Sequence, residues 1–172
     1  MYHSSVKTSV DAIRLTLGAR PLVWQRMFVV AAVSWALVLL AAPLAASRHD
    51  QTAALFTLEY GAYAIGRLVC HQIGARSFHL GSIPLPVCAR CTGIYVGAAL
   101  TALAAVCLPP LAPAGEPART ALFRRALLLA VLPTLATVVF EWTTGVTPSN
   151  TVRAAAGVPI GAAVAWIIRE VN

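Results

Sequence analysis

Charge is what this sequence has least of. Six acidic and 13 basic residues make up 11% of its 172 positions, roughly half the share found in soluble domains. A chain so poor in charge cannot clothe a water-facing surface, and its mean hydropathy of +0.76 makes lipid its natural solvent. The acid shortage leaves a formal charge of +7. That surplus does not read as nucleic-acid binding, because no basic stretch is interleaved with aromatics. The basic residues fall singly or in pairs between apolar runs, as in loops held in the cytosol against anionic lipid heads. Also lacking are a phosphate-cradling glycine loop, a nucleophile elbow and paired catalytic carboxylates, which removes kinase, hydrolase and glycosidase readings. Four cysteines are too few for a secreted disulfide framework. Three of them fall between Cys70 and Cys91, and this clustering points to local chemistry.

What is present reads as an all-α, polytopic membrane helix bundle. Residues 1–20 place Val6, Val10, Ile13 and Leu17 at helical spacing, which suits either an interfacial helix or a cytosolic tail. Residues 21–172 form one membrane domain. Uncharged or nearly uncharged runs at 27–46, 92–111, 126–141 and 152–168 are each close to the length that crosses about 30 Å of hydrocarbon. Pro133 and Pro159 are expected kinks. Pro109, Pro110 and Pro113 close the second run, with a linker over 109–118. Within the motif segment 52–91, residues 52–70 are apolar yet carry Glu59 and Arg67. Glu59, Tyr63, Arg67 and His71 recur every fourth position, a polar stripe that should avoid lipid. About four transmembrane helices plus a re-entrant or interfacial helix is the expected architecture.

Charge counting selects the orientation. With four spans and both termini in the cytosol, Lys7, Arg14, Arg20, Arg26, Arg119, Arg124, Arg125 and Arg169 lie inside, eight of the 13 basic residues. A fifth span would move one of these clusters outside. The expected location is therefore the cell (inner or plasma) membrane, multi-pass, with the motif on the non-cytosolic face. Gly93/Gly97 and Gly157/Gly161 form two small-xxx-small pairs inside the second and fourth spans, where missing side chains let backbones approach.

The chemistry-bearing residues concentrate at Cys70-His71 and at Cys88-Ala89-Arg90-Cys91. Pro86 can start a helix, which would put both thiols of the C-x-x-C pair at a helix N-terminus, where the dipole and free amides favour thiolate. Three thiolates and an imidazole would complete a tetrahedral zinc site. His79 competes with His71 for the fourth place, because adjacent residues seldom point at one metal. Buried cysteines without chemistry and a redox pair are the other readings. Cys107, about 24 Å further along a helix, reads as packing. Glu141 closes the third span while Asn150 and Arg153 open the fourth. All three should share the cysteines' face, with Glu141 either a general base or paired with Arg153. His3 and His49 have no convergent partners.

At this motif the sequence resembles the domain of unknown function 2085, a family of small prokaryotic membrane proteins. The resemblance rests on Cys70-His71-Gln72, Arg76-Ser77-Phe78, the string Pro86-Val87-Cys88-Ala89-Arg90-Cys91-Thr92-Gly93-Ile94-Tyr95, and Ser149-Asn150 with Arg153, Gly157 and Gly161. It covers roughly residues 55–168. The chain has Glu141-Trp142 where the family pattern has Asp-Gly, and His79 lies outside the pattern, which favours His71 as fourth ligand. The resemblance implies a shared site that includes Arg76, Arg90, Tyr95, Asn150 and Arg153, and implies no particular activity.

Three functions follow. The first is a membrane protein holding zinc or another thiophilic metal ion on Cys70, His71, Cys88 and Cys91, with Glu141 a candidate catalytic base if a coordination position is open. The second is a thiol-disulfide or quinone-linked oxidoreductase using Cys88 and Cys91. The third is a transporter subunit or assembly factor with Glu59, Arg67, Glu141 and Arg153 along a polar path. The lipid bilayer is the one partner the sequence names; nucleic acid is excluded, and protein partners and substrate are left open.

Overall fold

The computed structural model describes residues 2–48, 52–107 and 116–171, and for residues 2–22 the backbone alone. Of the described residues, 83% are helical. Its helices are α1 (Tyr2–Ala46), α2 (Ala53–Val69), α3 (Ala89–Cys107), α4 (Glu116–Thr144) and α5 (Asn150–Val171). Between α2 and α3 lie a 3-10 turn at Gly74–Arg76 and a small antiparallel hairpin, β1 (His79–Leu80) with β2 (Ile83–Pro84). Gly81 supplies the positive φ of 62° at its tip.

Among the described residues, four segments are long and apolar enough to cross a membrane: Val23–Ala46, Ala89–Cys107, Glu116–Thr144 and Asn150–Val171. The protein is an all-α membrane helix bundle. Helix α2, at 17 residues, is not among these spans and packs on α1. Thr52 caps its start by accepting from the Leu55 amide. The N-terminal segment continues without a break into the first span, so α1 runs for 45 residues, about 68 Å at 1.5 Å per residue. Helix α4 runs through Pro133 and α5 through Pro159. His49 and most of the proline-rich linker lie outside the described residues.

Glycine sets the packing of α3 on α5. A Cβ at Gly93 would strike the Ala154 carbonyl and one at Gly97 the Val158 carbonyl; from the other side, Gly157 faces the Arg90 carbonyl and Gly161 that of Ile94. The two glycine pairs read from the sequence therefore meet each other across one seam. Residue numbers rise together along both helices, so α3 and α5 run parallel. Parallel spans two apart in the chain require α4 to cross the opposite way between them. The geometry thus brings the Ala89 end of α3 and the Asn150 end of α5 to the same end of the bundle. Helix α4 lies outside this pair, packed on α5 through the edge-to-face rings of Phe123 and Trp166 at 5.4 Å, with Leu128, Leu129, Leu132 and Leu135 exposed as suits a lipid-facing helix.

Candidate functional site

Helix α2 ends at Cys70, whose extended backbone still donates to the Gly66 carbonyl at 2.9 Å. The chain then turns sharply at Gln72, the one non-glycine residue with positive φ (48°) among those described. Such a conformation costs about 1 kcal/mol or more in a non-glycine residue. The Gln72 side-chain amide offsets that cost by donating to two backbone carbonyls, Tyr63 and Pro86, each at 2.7 Å. Tyr63 in turn donates its hydroxyl to the Pro84 carbonyl. Gly66 makes room for this clasp, since a Cβ there would strike the Pro86 carbonyl. The end of α2 is thereby pinned to the strand that leads into α3, and Cys70 is carried to the start of α3.

At that junction the sulfurs of Cys70, Cys88 and Cys91 lie within 4.8 Å of one another. All three are free thiols. Cys70 is buried and the other two half-buried, on a core of Leu39 and Val87 with Trp35 and Tyr95 packed against it. The rings of Trp35 and Tyr95 meet edge to face at 5.9 Å. The Cys88 amide donates to the Cys70 sulfur at 3.2 Å. Cys88 sits just ahead of α3, and its thiol is pulled down to about 5. The Cys91 thiol donating to it is the main cause, and backbone amides of Cys91 and Arg90 add to the effect against the opposing cost of burial.

Around the sulfurs lies a cleft of about 290 Å³ lined by Val69, His71, Ile73, Arg76, Arg90 and Arg153 besides the cysteines. His71 is exposed and borders this cleft, but it is not in the close group of donor atoms. His79 is exposed on the hairpin. Glu141, from the end of α4, is the electrostatic hub. Arg153 donates to both of its oxygens at 2.9 Å, and Arg76 donates to Oε1 at 2.7 Å. The Arg153 side chain is only 3% exposed and that of Glu141 14%, so this pair is far less screened than a surface pair. Arg90 donates to the Thr137 hydroxyl at 3.2 Å, and Asn150 donates to the Ser77 carbonyl at 2.8 Å. The second half of the bundle thus grips the loop that carries the motif.

A family model described as a predicted membrane protein, DUF2085, matches residues 70–167. This is more than half of the chain, and it begins at Cys70. The chain belongs to the DUF2085 family. The uncharacterized protein MJ1492 of Methanocaldococcus jannaschii is 51% identical over 35 residues, 20% of this chain and 22% of that one. The chain therefore spans about a fifth of that relative's length. No solved structure matches. The DUF2085 match takes in the cysteines, the arginines of the cleft and Glu141, whereas Trp35 and Leu39 of α1, which floor the sulfur cluster, lie before it.

Among the residues singled out from sequence, the structure places Cys70, His71, Cys88, Cys91, Arg76, Arg90 and Arg153 on one cleft, with Glu141 and Tyr95 packed against residues of its wall and Asn150 bonded to Ser77, next to Arg76. Arg67 is exposed on α2. Cys107 is exposed at the last residue of α3 instead of packed. Sequence reasoning missed Gln72 as the clasp, Trp35 and Leu39 as the floor, and Arg76 as a partner of Glu141. Only Gln72 carried a signal, as a polar residue directly beside Cys70-His71.

Proposed function

We propose that this protein is a membrane metalloprotein in which Cys70, Cys88 and Cys91 hold zinc or another thiophilic ion. The observation that carries the reading is the convergence of three free sulfurs within 4.8 Å from positions 18 and 21 residues apart in sequence. In a tetrahedral zinc site, sulfurs at about 2.3 Å from the ion stand roughly 3.8 Å from each other, so the thiols need only a small inward shift. The Cys88 amide bond to the Cys70 sulfur suits a thiolate ligand, which gains from such donors. His71 is the fourth ligand after a side-chain rotation into the cleft it borders; left outward, it leaves a coordination position open to water or substrate, the mark of a catalytic site. Glu141 serves as an anchor for two guanidinium groups in this reading, since both of its oxygens already accept from Arg153, which disfavours the general-base role. The test is metal content after purification in detergent, with Cys70→Ser and Cys88→Ser as the variants expected to lose the ion.

One observation favours a second reading. The Cys88 thiol, ahead of α3 and pulled below its ordinary value chiefly by the neighbouring Cys91 thiol that donates to it, is suited to be the attacking thiolate of a dithiol oxidoreductase. There the Cys88 thiolate attacks a disulfide of a partner and Cys91 resolves the mixed disulfide. The pair leaves oxidised, and two electrons and two protons pass to the partner. Free-thiol counts before and after reduction separate the two readings, because a metal site keeps all of its thiols reduced.

We further infer an orientation with both termini in the cytosol and the motif on the other face, supported by the excess of basic residues flanking the predicted inside ends. Leu80→Cys on the exposed hairpin tip is then labelled by an impermeant maleimide in intact cells, and Cys107 only after permeabilisation. The reverse pattern overturns the orientation.

A further inference from the structure

The cleft beside the sulfurs is lined by three guanidinium groups, Arg76, Arg90 and Arg153, against one carboxylate, that of Glu141, and the lowered thiol of Cys88, so positive charge is in excess. Arg76 and Arg153 share the single carboxylate of Glu141. Arg90 has a neutral hydroxyl as its hydrogen-bond partner. Among the described residues, no hydrogen-bond partner meets the buried Nε atoms of Arg90 and Arg153, and the Arg153 side chain, 3% exposed, lines the cleft. An unpartnered guanidinium donor in a poorly solvated place is costly unless something answers it. Guanidinium groups answer carboxylate and phosphate oxygens best, through paired donors in a plane. The cleft is also too large for an ion alone: about 290 Å³ is several times the roughly 30 Å³ that one water occupies. Val69 and Ile73 line it as well, giving an apolar wall for a carbon stem.

We propose that this cleft binds an organic anion, its carboxylate or phosphate group held by Arg90 and Arg153 with Arg76 at the edge and its carbon stem against Val69 and Ile73. The inference goes beyond the metal reading and stands without it, because the donors are guanidinium groups and not the thiols. A free small acid and an anionic lipid headgroup share this chemistry, and the experiment distinguishes them.

The full-length protein is titrated in neutral detergent with inorganic phosphate, acetate and hexanoate, reading the shift in thermal unfolding. It is also reconstituted in vesicles of phosphatidylcholine with or without phosphatidylglycerol. Saturable stabilisation by the soluble anions, with hexanoate ahead of acetate, identifies a free acid. Stabilisation confined to the phosphatidylglycerol vesicles identifies a headgroup. In either case Arg90→Gln weakens binding about tenfold and Arg90→Lys less. Arg90 is chosen because its loss orphans no carboxylate, and Arg90→Lys keeps the test open if the glutamine variant fails to fold. Metal content is measured on the same wild-type and Arg90-variant samples, so loss of anion binding with the metal retained, or absence of metal with anion binding retained, makes failure of one proposal visible apart from the other. No saturable effect of any anion, or equal binding by wild type and both Arg90 variants, overturns the proposal.

Discussion

Helices α3 and α4 are both membrane spans of this chain, yet they are held by opposite means. Helix α3 presents Gly93 and Gly97 to α5 and brings its backbone against the Ala154 and Val158 carbonyls. Helix α4 presents long leucines outward and touches α5 through a few side chains, notably Phe123 on Trp166 and Thr134, whose hydroxyl donates to the Ala156 carbonyl at 2.7 Å. In lipid the hydrophobic effect does not drive helices together, so close backbone approach and specific polar bonds do. The glycine seam is therefore the rigid base of the bundle, and it aligns the Cys88 and Arg90 end of α3 with the Arg153 end of α5. What ties α4 to the site is electrostatic, the grip of Glu141 on Arg153 and Arg76.

The largest expected effect comes from filling the seam. Gly161→Leu drives a side chain into the Ile94 carbonyl, which belongs to backbone and cannot swing aside. The expected cost is about 5 kcal/mol or more, in the range that removes the folded state, seen as loss of a monodisperse species in detergent. A folded Gly161→Leu protein with unchanged unfolding would mean that α3 and α5 do not meet there. Next is Glu141→Leu, which leaves buried Arg153 without a counter-ion and should cost about 3–5 kcal/mol in reversible unfolding followed by tryptophan fluorescence. The double variant Glu141→Leu with Arg153→Leu should recover much of this, and no recovery would show that the pair is not what binds α4 to the site. Smaller is Gln72→Ala, which removes the clasp on the Tyr63 and Pro86 carbonyls for about 1–3 kcal/mol. Smallest is Leu129→Ala on the exposed face of α4, expected within about 0.5 kcal/mol in the same assay. A large loss there would turn the lipid-facing side of α4 into an interface.

The spans were legible because length and apolarity decide them, and the glycine pairs because spacing of four places both on one helix face. The sulfur cluster was legible as a set of residue types, since three thiols in a short stretch of a cysteine-poor chain have few other meanings. The charge hub was only half legible. Glu141 and Arg153 are 12 positions apart and flank one loop, whereas Arg76 is 65 positions from Glu141 and nothing local announces the contact. Trp35 and Leu39 read as ordinary members of an apolar span, and their role as the floor of the cluster depends on how α1 leans on α3. Gln72 takes a left-handed backbone that glycine would adopt more readily, and only the two carbonyls it reaches explain the choice. Helix α1 runs unbroken from Tyr2 to Ala46, and the amphipathic spacing of residues 1–20 carries no signal for where that helix ends.

Elemental analysis of the detergent-purified protein, beside a count of its free thiols, tests the central reading most directly. The expected result is about one equivalent of a thiophilic metal in the wild type and in Cys107→Ser, lost in Cys70→Ser and Cys88→Ser, with no thiols recovered by reduction. Metal-free wild type in which two thiols appear only after reduction would contradict the metal centre and make Cys88 and Cys91 a redox pair.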